Sequence, residues 1–212
     1  MNIKLFEEFS EEERQKLIIT HKTYLKKNKV NNIIEYSDIL IKIKNYDFTK
    51  LHTKFNGFEV IITSDEEFKK LLSELNELIK DKVDINFNFS LTIDKDRLNS
   101  INLDSYLPMV LRGLNIGYKI YKLMINNFDF ITSDYGVSSF SNNIWYKLIC
   151  DSDYYAFTSN ICSGVIKKDL TDDRLKIILD NIKNNVYKIY QIEFENLELD
   201  SKLKDKIKKI WK

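Results

Sequence analysis

Proline occurs once in this chain of 212 residues, at Pro108, and glycine five times. So little of either excludes a collagen-like or Gly/Pro-rich low-complexity chain and leaves no flexible linker to separate domains. The two cysteines, Cys150 and Cys162, are too few for a disulfide scaffold. A single bridge between them is open from sequence, but free thiols buried as small apolar groups are the expectation for a chain with a sufficient core. The two histidines, His21 and His52, stand far apart without the paired Cys or His spacing that holds zinc, so no metal is expected. A net charge of +1 lacks the surplus that general phosphate neutralisation needs, which leaves nucleic-acid binding only a local patch. No apolar run is long enough for a membrane span and no signal-peptide pattern opens the chain, so the expected setting is cytoplasmic. What is plentiful is core material. Hydrophobic residues make up 43%, with 13 Phe and 12 Tyr, which excludes a disordered chain. A chain of this length buries roughly 70% of its unfolded surface.

Ser10 and Glu13 form a capping box ahead of Leu17, Ile18, His21, Tyr24 and Leu25, which predicts a helix over 10–28. Alternation from Ile33 to Tyr46, and the Val60, Ile61, Ile62 run after Asn56-Gly57, predict two strands in an antiparallel start. Ser64 and Glu67 predict a second capped helix that carries Phe68, Leu72 and Leu75 and ends near Lys82. Ile85, Phe87, Phe89, Leu91 and Ile93 alternate strictly with polar residues, the pattern of a half-buried strand. A strand from Tyr106 to Leu111 holds Pro108, which cannot donate to a ladder and so marks an edge or a bulge. Then follow a helix over 115–127, a strand from Phe128 to Thr132, a helix over 138–149 and a strand from Tyr154 to Asn160. A helix over 171–184, an extended stretch from Val186 to Phe194 and a Lys-rich tail complete the chain. The fold class is α/β (α+β), a mixed central sheet flanked by helices.

The chemical signal lies in Arg112-Gly113-Leu114-Asn115-Ile116-Gly117, which follows a strand and opens a helix with Ile116, Ile120, Leu123 and Met124 on its apolar face. Such a turn offers unpaired backbone N–H groups at the positive end of a helix, and glycines without side chains let a pyrophosphate approach closely. A tight turn carrying a solvated arginine is the simpler reading of the same six residues.

Arg112 to Gly117 resembles the coenzyme A pyrophosphate loop of the GNAT (N-acetyltransferase) superfamily, with Asn115 in the place of its central glycine. The next unit, Thr132-Ser133-Asp134-Tyr135-Gly136-Val137-Ser138 and then Trp145, is similar to acetyltransferase-like proteins encoded by tailed bacteriophages, Tyr135 standing where they usually have arginine. The likeness covers roughly residues 85–161. It implies a GNAT-like domain over 1–165 with a helical C-terminal extension over 166–212. It also implies acetyl-CoA as cosubstrate, held by Arg112, Gly113, Asn115 and Gly117, with an unidentified amine as acceptor. Tyr146 takes the position of the superfamily's frequent general acid. The helix pattern places Tyr146 off the stripe of Val137, Phe140, Ile144 and Leu148, about 200° round from Ile144 at 3.6 residues per turn, facing either a cofactor cleft or solvent. Trp145, beside the stripe, reads as packing. The Tyr106–Leu111 strand carries no carboxylate for a general base. Asp134, just past the next strand, is the substitute by position, with a capping or turn role as the simpler reading.

Two functions of different class follow. One is an acetyl-CoA-dependent N-acyltransferase. The other is a catalytically inactive GNAT-like structural or interaction protein, such as a component of a phage particle, which the missing carboxylate and Asn115 favour and which would locate the chain in a virion or host cytoplasm. A tRNA-directed toxin of the same superfamily is disfavoured by the net charge of +1. The tail from Ser201 to Lys212 has six lysines against one aspartate, with Leu203, Ile207 and Ile210 on one face. This basic amphipathic helix, Lys202–Lys212, suits a protein partner, though a helix covering the sheet with a solvated lysine face is the commoner use of such a pattern.

Overall fold

A computed structural model describes residues 10–103, 107–133 and 139–211. Among the described residues the chain forms eight α-helices and an eight-stranded mixed sheet, a mixed α/β fold. It divides into two compact units. The first takes the described parts of Met1–Thr53, Ile62–Phe89 and Ser105–Ile116, and the second those of Lys54–Ile61, Ser90–Asp104 and Gly117–Lys212.

The first unit is helical. Ser10 caps α1 (Glu11–Thr20) by accepting from the Glu13 N–H, and the helix breaks at His21 before α2 (Lys22–Asn28). The predicted helix over 10–28 is therefore two helices. The strand expected from Ile33 to Tyr46 is instead α3 (Ile33–Asn45), capped by Asn32, whose side chain accepts from the Glu35 N–H. The misleading alternation has a physical cause. α3 packs against both α1 and α4 (Glu66–Leu78), so Tyr36, Ile39, Leu40, Ile41 and Ile43 are all buried and only the narrow stripe of Glu35, Asp38, Lys42 and Asn45 is left polar. Arg14 of α1 grips Asp38 of α3 with both Nε (2.6 Å) and Nη2 (3.4 Å), and Lys44 pairs with Glu13 at 2.7 Å. The N-cap of α4 is Asp65, one residue beyond the expected Ser64, whose hydroxyl donates to the Phe87 carbonyl instead. Tyr46, Phe48 and Phe68 meet edge-on or tilted at 5.0–5.6 Å beside Phe89. Rings in such geometry add about 0.5–1.5 kcal/mol per pair beyond the area they bury.

The sheet runs in the order β1 (His52–Asn56), β2 (Glu59–Thr63), β3 (Asn88–Asp94), β4 (Ser100–Leu103), β5 (Phe130–Ser133), β7 (Ser163–Lys167), β6 (Tyr154–Thr158), β8 (Glu198–Leu199). β1 and β2 join at Gly57, whose φ of +62° is the left-handed turn that Asn56-Gly57 signals. β3 starts later than the alternation implies, because the Asp84 carboxylate and carbonyl accept from Asn86 and Phe87 N–H groups in a turn that leaves Ile85 exposed. β3 pairs antiparallel with β4, and β4 pairs parallel with β5 through Ser100↔Thr132 and Ile101↔Ser133. A parallel pair with an intervening helix, α5 (Ile116–Phe128), is thus present, formed by β4 and β5. Of Tyr106–Leu111, Tyr106 lies outside the described residues, and Met109–Leu111 form a 3-10 turn with Pro108 as its N-cap. Proline's fixed φ suits the entry to a helical turn at least as well as a strand edge, and Pro108 stands at −49°.

In the second unit β7 lies between β5 and β6, antiparallel to both, and β8 pairs antiparallel with β6. α7 (Asp172–Tyr190) runs through much of the stretch expected to be extended from Val186 to Phe194. It buries Leu175, Ile178, Leu179, Ile182, Val186 and Tyr190 in one core with Phe130, Phe157, Cys162 and Ile166. α8 (Ser201–Ile210) adds Leu203, with Ile207, Ile210 and Trp211 packed at its margin. No helix among the described residues is long and apolar enough to cross a membrane.

Candidate functional site

The turn ahead of α5 is built by backbone conformations that few side chains tolerate. Arg112 closes the 3-10 turn, its N–H bonded to the Met109 carbonyl at 3.2 Å. Gly113 follows at φ +80° and Asn115 at φ +60°. Asn115 thus occupies the left-handed region where asparagine is tolerated better than most residues. Arg112, ahead of both, is extended, at φ −73° and ψ 149°, so the chain turns sharply at Gly113. The Arg112 Nε donates to the Leu107 carbonyl at 3.2 Å, which folds the side chain back over its own turn.

Two neighbours from α1 hold the turn. A Cβ on Gly113 would stand 3.1 Å from Cγ2 of Thr20, a tight approach that Thr20 would have to relieve by a few tenths of an ångström. Next to Thr20, the His21 ring is 4% exposed and bonds on both edges, Nε2 to the Arg112 carbonyl at 3.1 Å and Nδ1 to the Tyr36 hydroxyl at 2.9 Å. Burial pushes the His21 pKa below 6.5, partly offset by the bond to Arg112. In the sequence His21 stands as a lone histidine without metal-ligand spacing. Its position among Leu17, Tyr24 and Leu25 was the available signal, since a histidine on an apolar face needs partners for both nitrogens.

Gly117 sits in the first turn of α5. A Cβ there would lie 2.8 Å from Cδ1 of Ile144, so the space that its missing side chain leaves is taken by α6 (Ser139–Ile149). On α6, Tyr146 points outward at 69% exposure, Trp145 is buried against the Tyr121 ring at 5.7 Å, and Leu148 is fully buried. Asp134 lies outside the described residues, as do Tyr135, Gly136, Val137 and Ser138. The two residues before it are buried and committed to the sheet. The Thr132 hydroxyl donates to the Leu98 carbonyl at 3.0 Å, and the Ser133 hydroxyl accepts from the Ser163 N–H at 2.9 Å.

A second polar cluster, which the sequence did not reveal, lies between α5 and the turn after α6. Tyr118 donates to the Asp151 carboxylate, and Lys122 reaches Asp151 at 3.1 Å and Asp153 at 3.4 Å. The ammonium also sits over the Tyr118 and Tyr154 rings, 5.6 and 5.5 Å from their centroids. Burial, and for Tyr118 the bond to Asp151, pushes both phenols up to about 12. Burial alone would raise Asp151, but the bonds from Tyr118, the Asp153 N–H and Lys122 hold it below its ordinary value. Every member is satisfied by another, so the cluster fastens α5 to the start of β6. On α8, Lys206 is bound to Asp172 at 2.5 Å and Trp211 packs on Phe194 under Lys183. A shallow recess beside it is lined by Lys176, Asp180, Lys183, Ile210 and Trp211. Comparison with family models, with curated proteins and with solved structures finds no match for this chain.

Proposed function

We propose that this chain binds acyl-coenzyme A through the turn from Arg112 to Asn115 and transfers the acyl group to an amine. The observation that carries the reading is the backbone of that turn, with Gly113 and Asn115 both left-handed immediately before a 13-residue helix that connects two parallel strands. An anion at such a helix start is favoured by the helix dipole, whose positive end lies there. The residues fit the group in part. Arg112 and the N–H groups of Gly113 to Asn115 would hold the pyrophosphate, whereas Gly117 has its free side occupied by Ile144. The coenzyme supplies an activated thioester. The chain would supply orientation, and the exposed Tyr146 hydroxyl a proton for the departing thiolate.

The packing at Gly117 favours a second reading, a protein of the same fold that has given up catalysis for a structural or interaction role, with the lysine face of α8 as its contact. Calorimetric melting with acetyl-coenzyme A separates the two. Saturation at 100 times the dissociation constant stabilises the folded state by about 2.7 kcal/mol. Binding together with acetyl transfer that falls in Tyr146→Phe at unchanged affinity supports the enzyme. Binding without transfer supports the second reading, and a melt unmoved by millimolar acetyl-coenzyme A refutes the coenzyme site.

A further inference from the structure

His21 and Arg112 are 91 residues apart in sequence, yet the ring of one holds the backbone of the other. The chemistry fixes which nitrogen carries the proton. A peptide carbonyl only accepts, so Nε2 must be the donor to Arg112, and in the neutral ring Nδ1 must then accept from the Tyr36 hydroxyl. The groups that face the ring are the Tyr36 hydroxyl from α3, the Tyr24 ring from α2 at 6.5 Å, and the Arg112 carbonyl. None of these is a carboxylate, and burial opposes a charge there. Thr20, the preceding residue, fills the space beside Gly113, its Cγ2 lying 3.1 Å from where a Cβ on that glycine would stand, so two consecutive residues at the end of α1 border two consecutive residues of the turn.

We propose that His21 is the positioning residue of the Arg112–Asn115 turn, its neutral Nε2–H tautomer fixing the Arg112 carbonyl and thereby the direction of the N–H groups that follow. With the carbonyl pinned, the peptide plane between Arg112 and Gly113 cannot rotate, and the left-handed state of Gly113 is kept without a ligand to impose it. Preorganisation of this kind spares a bound anion the cost of ordering its own cradle. The proposal rests on the acyl-coenzyme reading only for the identity of the anion.

The test uses the full chain, with His52→Asn leaving His21 as the sole imidazole. Nitrogen-15 spectra are expected to show a neutral Nε2–H ring that resists protonation below 6.5. A ring protonated on Nδ1 alone, or one titrating at 6.5, overturns the proposal. In His21→Phe, amide exchange at Leu111 and Arg112, bonded to the Pro108 and Met109 carbonyls, is expected to quicken by about tenfold, the equivalent of about 1.4 kcal/mol. Exchange at Leu72 and Leu75 in α4 should stay as in the wild type, because the effect is local. His21→Gln, which keeps a donor and an acceptor, should restore most of the protection and stands in if His21→Phe fails to fold. Acetyl-coenzyme A affinity is expected to fall by about tenfold in His21→Phe and to recover in His21→Gln. Unchanged exchange in His21→Phe, or exchange raised equally in α4, overturns the positioning role. A wild type that ignores acetyl-coenzyme A overturns the ligand assignment alone, because the exchange comparison still decides the role of His21.

Discussion

Gly117 offers a quantitative way to learn what its missing side chain is for. Replacing glycine by alanine in a helix gains about 0.5–1 kcal/mol through the lower entropy of the unfolded chain. Here the new methyl would stand 2.8 Å from Cδ1 of Ile144, with the next atom, Cγ1, at an ordinary 3.9 Å. Overpacking of that size costs about 1–3 kcal/mol, so Gly117→Ala should lose about 1 kcal/mol net. Ile144→Val removes the offending Cδ1 for about 0.5–1.5 kcal/mol. Against the valine background the alanine meets no crowding and should stabilise by its full helical gain, about 0.5–1 kcal/mol. The four proteins form a double-mutant cycle with an expected coupling of about 1–3 kcal/mol, readable by urea unfolding. If Gly117→Ala has the same effect in both backgrounds, Ile144 is not what demands a glycine. The same proteins bear on function. Retained acetyl-coenzyme A binding in Gly117→Ala/Ile144→Val assigns the glycine to helix packing, and binding lost while stability is kept returns it to the phosphate.

Gly164 stands opposite Phe157 in the β6–β7 ladder, and a Cβ there would fall inside the phenyl ring, 2.6 Å from its Cε2. Gly164→Ala should therefore destabilise by about 3 kcal/mol or more in urea, and a loss below about 1 kcal/mol would contradict the packing. Asp151, with a folded pKa below 3.8, contributes stability that is complete above that value and is lost as pH falls through the folded pKa. Asp151→Asn should flatten this acid limb of the stability curve, and an acid limb unchanged by the substitution would show that the carboxylate is not held by Tyr118 and Lys122.

Local signals carried much of the fold. Ser10, the Asn56-Gly57 turn and the apolar face of α5 act through their near neighbours and can be read within a few residues. α3 could not be read so, because the apolar run of Ile39, Leu40, Ile41 and Ile43 reflects two packing partners that are themselves distant in sequence. β4 and β7 are short, and the pairing of Ser100 with Thr132 or Phe130 with Ile166 is decided by tertiary register. At the candidate site the left-handed bias of Asn115 was legible from its residue type. The bond from His21 to Arg112 was not, since nothing near either residue points to the other. Tyr118 and Lys122 are one helical turn apart and so visibly neighbours, but the Asp151-Ser152-Asp153 turn that completes their cluster comes some 30 residues later.

The insertion of β7 between β5 and β6 also governs how the sheet can be assembled during synthesis. A ribosome delivers β5 well before β7, so the edge of β5 that β7 will occupy emerges with its ladder groups unpaired. β6 arrives next, carrying the aromatic run Tyr154, Tyr155 and Phe157, and must not seize that edge. Its partner in the sheet follows within a few residues, at Ser163–Lys167, close enough to close a hairpin in microseconds, far faster than residues are added. β6 is therefore engaged almost as soon as β7 exists, and the hairpin can dock on β5 as a finished unit through the β7 side. Slowing translation between Thr158 and Ser163 would lengthen the interval in which β6 is exposed alone, the period when pairing in the wrong order or between nascent chains is most available to it.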